Sequence, residues 1–171
     1  MIVTVALLVM AAACSLFRTD IRVPQSLSLR MDRPENAPLQ FAVLKDMDTA
    51  AEEVTKHADA MESFHINSIT YRVEDFSGGN EPVIAGNLEF ALSGTTEFQT
   101  LATFEHLDLR TMAGSGAEVV LPVSDKAAVA KLAALMQHGR TITFRLTAST
   151  TNNPIAATLV LNFDTEMAVE I

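Results

Sequence analysis

The chain has 171 residues, 49% of them hydrophobic and 19% charged, a length and balance that exclude a disordered tail or a coiled coil and fit one globular domain. Acidic residues outnumber basic ones 21 to 12, and the resulting net charge of -9 repels phosphate backbones, so nucleic acid is excluded as an expected partner. There is no tryptophan, and a core of Leu, Val, Ile, Met and nine phenylalanines is expected.

Residues 1–17 carry no charged side chain. An apolar block over residues 2–10 is followed by Ala11-Ala12-Ala13-Cys14. The block is shorter than the ~20 residues that a helix needs to span a bilayer and matches the hydrophobic region of a signal peptide. Small residues directly before a cysteine resemble the lipobox of bacterial lipoproteins. The resemblance implies that residues 1–13 are a signal peptide cleaved after Ala13, and that Cys14 becomes the acylated first residue, carrying palmitate-type chains. Residues 14–20 are then a lipidated tether and residues 21–171 a single β-rich domain. Each buried acyl methylene contributes about 0.8 kcal/mol, which makes a lipid with more than one chain a lasting anchor.

Ala11 stands where the family usually has leucine, and no Lys or Arg precedes the apolar block. Ser15 is not the aspartate that retains enteric lipoproteins at the inner membrane, so the resemblance implies the outer membrane. Cys14 is the only cysteine, which agrees with export, since no second thiol exists to pair with it. Two other readings stay open: a buried small apolar Cys14, or an uncleaved anchor that Leu16 and Phe17 extend and Arg18 ends.

Along the remaining chain, Leu27, Leu29 and Met31 alternate with Ser26, Ser28 and Arg30, the period of a half-buried strand. Pro34 and Pro38 mark a connection. Over residues 44–64, Leu44, Met47, Ala51, Val54, Ala58 and Met61 fall three and four apart and predict a helix, with Thr49 and Glu52 as a capping box or Asp48 as the cap. Ile69, Tyr71 and Val73 predict a strand, closed by Ser77-Gly78-Gly79-Asn80-Glu81-Pro82 and followed by a partner strand with Leu88, Phe90 and Leu92.

Residues 98–110 read as a strand in their second half, Gly114-Ser115-Gly116 as a flexible loop, and residues 118–122 as a short apolar strand. Ser124 caps a predicted helix over residues 125–137, which buries Val129, Leu132, Ala133 and Met136 and stops at Gly139. Ile142, Phe144, Leu146 and Ala148 predict a strand, and Thr151-Asn152-Asn153-Pro154 a turn. Ile155, Ala157, Leu159, Leu161 and Phe163 return as the second arm of a hairpin. Met167, Val169 and Ile171 are expected to add an edge.

Motifs for chemistry are absent from this sequence. His57, His65, His106 and His138 do not fall in HExxH or a Cys/His cluster, and no GxSxG, GxxxxGK[ST] or GxGxxG occurs. Asp75 beside Gly78-Gly79-Asn80 lacks the oxygen spacing of a calcium loop. Glu52-Glu53 point to different sides of a helix. No catalytic, metal or cofactor site is expected.

The expected fold is mainly β: an antiparallel β-sandwich-like domain of about seven strands with two helices. The expected role is that of a cell-envelope lipoprotein, not an enzyme, which binds or scaffolds and whose loops meet another protein or a glycan. One alternative is a carrier that encloses an apolar ligand beside Met47, Met61, Phe64 and Met136. Another is an enzyme whose groups meet only in three dimensions.

Overall fold

The computed structural model describes residues 18–78 and 81–170, so Cys14, the rest of residues 1–17, Gly79, Asn80 and Ile171 lie outside the described residues. Two antiparallel sheets face each other. In the first, β1 (Arg18–Arg22) and β2 (Gln25–Arg33) both pair with β9 (Ile155–Glu170), which pairs on its other side with β4 (Met61–Gly78) and through it reaches β7 (Val119–Val120). The second sheet runs β3 (Gln40–Asp48), β8 (Thr141–Thr150), β5 (Val83–Leu92) and β6 (Gln99–Asp108).

β1 and β2 lie end to end along β9, broken at Val23 and Pro24 because proline has no N–H to give to a ladder. The break is held by the Val23 N–H, which donates to the Thr165 carbonyl at 2.9 Å, and by the Thr165 hydroxyl, which donates to the Val23 carbonyl. Counted as one interrupted strand, they make the strand order that of a double Greek-key jelly roll. This agrees with the mainly β sandwich that the alternating faces predict.

The number of elements differs, with nine strands and three helices among the described residues. β1 begins at Arg18, inside the stretch expected to be a tether. The helix predicted over residues 44–64 is replaced by the end of β3, a short helix α1 (Glu52–Lys56) and the start of β4. Its three-and-four spacing came from two strands and a short helix with its flanking loops laid end to end. Met47 is buried as an inward strand residue, whereas Leu44 is 57% exposed on the outer face. The capping box is not made: the Thr49 hydroxyl donates to the Arg140 carbonyl at 2.7 Å.

Both expected hairpins also resolve differently. β4 and β5 belong to opposite sheets, as do β8 and β9, so the turns after Ser77 and Thr151 carry the chain across the sandwich. β9 is not an edge but the centre of its sheet, running on through Met167 and Val169 to Glu170. Among the described residues only β5 and β6 are both consecutive and paired.

Two further helices complete the fold. The expected loop at Gly114-Ser115-Gly116 is the end of α2 (Leu109–Ser115), begun by the Asp108 carboxylate, which accepts from the Thr111 N–H at 2.9 Å, and ended by Gly116. Helix α3 (Lys126–Gln137) forms where expected, capped by Asp125, whose carboxylate accepts from the Ala127 N–H, rather than by Ser124. Gly139 adopts φ 58° just beyond its end. α3 buries Ala128, Leu132, Ala133 and Met136, and packs against β4.

The inward faces meet in one core. Phe144 from one sheet lies 5.6 Å from Phe163 of the other, and Tyr71 meets Phe104 edge-on at 5.2 Å. The free edges are blunted. β7 has two residues, the β1/β2 edge is broken at Pro24, and Lys45 of β3 occupies a position of the core-facing parity yet stays exposed. Among the described residues no helix is long and apolar enough to cross a membrane.

Candidate functional site

The outer face of the first sheet carries a polar groove of about 480 Å³, lined by Pro24, Gln25, Ser26, Ser68, Thr70, Glu118, Asn162, Phe163 and Asp164. Its floor is a row of directly opposed residues, Ser26 beside Asn162 and Asn162 beside Thr70, with Ser68 beside Asp164 in the next row. The strand period explains the polarity: Leu27, Leu161, Phe163 and Ile69 take the inward places, so their neighbours in sequence face out.

Two irregularities flank the groove. β1/β2 is interrupted at Pro24, and β4 shifts register between Ile66 and Ser68, a bulge of the kind that re-aims side chains beside binding sites.

Glu118, just ahead of β7, is held in place from two strands. The Thr70 hydroxyl and the Asn162 amide, the latter at 2.8 Å, both donate to its Oε1. Among the described residues its Oε2 and the whole Asp164 carboxylate have no hydrogen-bond partner. The Gln25 amide nitrogen and oxygen are buried, likewise without a partner.

The bond from Thr70 first, then that from Asn162 and the nearby charge of Arg72, hold the Glu118 carboxyl below the usual carboxylate range. The Asp108 carboxyl is lowered as well, by the N–H and hydroxyl of Thr111, then by the Arg110 N–H and by His106. A lowered folded-state pKa stabilises the fold above the ordinary value, and that contribution fades as acid takes the pH down through the lowered one. Stability to urea is therefore expected to fall from about pH 4 downward. The fall should be shallower in Glu118→Gln than in the wild type. Parallel curves would show that this carboxylate gains nothing from its partners.

The outer face of the second sheet is also polar and carries an ion pair. The Arg145 Nε donates to Glu89 at 2.8 Å, and its guanidinium lies 3.7 Å from the centre of the Phe98 ring. A further cleft of about 570 Å³ at one end of the sandwich includes Asp75, Phe76, Ser77, Gly78 and Arg110. There Asp75 has φ 51°, and Arg110 lies 5.9 Å from the Phe76 ring centre.

The residues singled out from sequence fall elsewhere. Cys14 lies outside the described residues. Met47, Phe64 and Met136, expected to line a carrier cavity, are part of the packed core, with Met61 partly buried against it. His57 is half-buried after α1, while His65, His106 and His138 are exposed. Among the described residues no three His, Cys, Asp or Glu side chains gather as metal ligands would.

Sequence reasoning missed the groove. Alternation marked Ser26 and Thr70 as polar-face residues, but their meeting depends on β9 lying between β2 and β4, pairings far apart in sequence. Asn162 and Asp164, polar residues on either side of Phe163 in the return strand, were the available signal.

No protein-family model matches the sequence. No curated protein matches it either. Among solved structures, the chain is similar to a Nora virus structure at 14% identity and TM-score 0.38, covering 91% of this chain and 61% of that one. The decameric BFDV capsid protein is similar at 11% identity and TM-score 0.38, covering 88% of this chain and 99% of that one. A third likeness is to carbohydrate-binding modules of the β-sandwich superfamily, with 10% identity, TM-score 0.35, and coverage of 86% of this chain and 56% of that one. Each is a distant likeness.

Proposed function

We propose that this chain is an exported lipoprotein, held by acyl chains on Cys14 to a bacterial membrane, in the first instance the outer membrane, and that its jelly roll is a non-catalytic binding module of the cell envelope. The observation that carries the binding role is the groove on the first sheet. There Glu118 is fixed by Thr70 and Asn162, while Asp164 keeps its full hydrogen-bonding capacity. Preorganised polar groups in a concave surface are what a specific ligand site requires. The anchor rests on the run of small residues that ends at Cys14.

The test expresses the precursor in bacteria fed an alkyne palmitate analogue and compares it with Cys14→Ser. Label on the wild type alone, recovered with outer membranes, is the expected result; equal label on both chains ends the lipoprotein reading. In parallel, envelope fragments should be retained by immobilised wild-type protein and much less by Asn162→Lys, whose long cation fills the groove. Equal retention removes the groove from the binding role.

A further inference from the structure

We infer that the groove of the first sheet takes a neutral, hydroxyl-rich glycan, laid across β2, β9 and β4 toward Glu118. This rests on the binding role proposed above and names its ligand class. At about 480 Å³ the groove lies within the roughly 300–1,000 Å³ of sites that accept small ligands.

The chemistry of the lining selects the ligand. Ser26, Ser68 and Thr70 offer hydroxyls that donate and accept, Asn162 offers an amide, and Glu118 and Asp164 accept only. A sugar ring presents hydroxyls that can meet all three kinds at once. Carboxylates are the strongest acceptors for such hydroxyls, and Glu118 Oε2 is already oriented, since both bonds from the protein converge on Oε1.

The same lining argues against two other ligands. An anionic glycan would place its carboxylates against Glu118 and Asp164, while Arg72, the cation near Glu118, is engaged at 2.6 Å by Glu74. Interfaces with proteins are enriched in aromatic residues, Met and Arg and depleted in Asp, Glu and Ser, the reverse of this lining. Phe163, the one aromatic residue among the lining groups, is 1% exposed and belongs to the core. Recognition is therefore by hydrogen bonds rather than by ring stacking, and exchange should be fast.

The full lipidated chain in detergent micelles is titrated calorimetrically with a neutral glucan hexasaccharide, an N-acetylglucosamine hexasaccharide and a galacturonate hexasaccharide. At least one neutral probe should bind and the galacturonate should not. Glu118→Gln and Asp164→Asn should each weaken binding by about tenfold, the loss of a charge-assisted bond. Because Glu118 also fastens β7, Asp164→Asn is the variant whose fold is not in question; its circular dichroism and melting should match the wild type.

Failure of every neutral probe to bind overturns the glycan assignment. So does binding that neither variant alters, or a preference for the galacturonate. A photo-cross-linker at Ser68 that captures a single envelope protein would also overturn it, while leaving the binding role standing. Loss of palmitate labelling at Cys14 bears on the anchor alone and separates the two questions.

Discussion

Phe144→Ala is expected to destabilise the domain by about 3–5 kcal/mol, the cost of deleting a large ring whose site cannot collapse. Phe144 is fully buried at the centre of the second sheet and touches Phe90 on its own sheet at 6.4 Å and Phe163 on the other at 5.6 Å. The ring is thus one of the groups that hold the two layers together. Since Phe163 lies on β9 between Asn162 and Asp164, its loss should loosen the floor of the groove as well. Urea unfolding measures the effect. Leu44→Ala, on an exposed side chain of the same sheet, should stay within about 0.5 kcal/mol. Similar midpoints for the two variants would contradict the assignment of Phe144 to the core.

Gly86→Ala should cost at least about 1–3 kcal/mol, although it adds one methyl group. A Cβ at Gly86 would sit 2.2 Å from the Thr147 carbonyl oxygen, 2.6 Å from the Ala148 Cα and 2.7 Å from the Ala148 Cβ. Two of these three atoms belong to backbone, so no rotamer change relieves the contact. β5 has to move away from β8, in the middle of its sheet and beside a register shift at Ile84 and Gly86. Ala148→Gly removes only the Cβ contact. The double variant should therefore recover a minor part of the loss, and full recovery would show that the backbone approach is looser than the geometry gives. Thermal unfolding of the two single variants and the double variant decides it.

Much of the fold was legible locally. The alternation of Leu27, Leu29 and Met31, of Ile142, Phe144 and Leu146, and of Leu159, Leu161 and Phe163 marks inward faces that the structure uses as such. The helix with Leu132 and Met136 was legible from its period and its glycine stop. What alternation cannot supply is the partner of each strand. In a jelly roll nearly every connection crosses from one sheet to the other, so neighbours in sequence face each other across the core instead of pairing.

The reading of Thr151-Asn152-Asn153-Pro154 as a hairpin turn followed from short-range logic that holds in meanders and fails here. The same limit hid the groove, since Ser26, Thr70, Glu118 and Asn162 come together only through the order β2, β9, β4, β7. The helix predicted across Met47 and Val54 failed for another reason. Short apolar runs satisfy periods of two and of three to four equally well until β3 is seen to pair with β8.

On the proposed reading, the outer face of the first sheet, at the level of Asn162, is the ligand surface. Backbone amide shifts of the isotopically labelled full chain, followed while the best-bound neutral hexasaccharide is added, test it most directly. Shifts are expected at Ser26, Ser68, Thr70, Glu118, Asn162 and Asp164, with Thr143 and Thr147 on the opposite outer face unmoved. Shifts centred on Phe76 and Arg110, or on the Arg145 face of the second sheet, would contradict it.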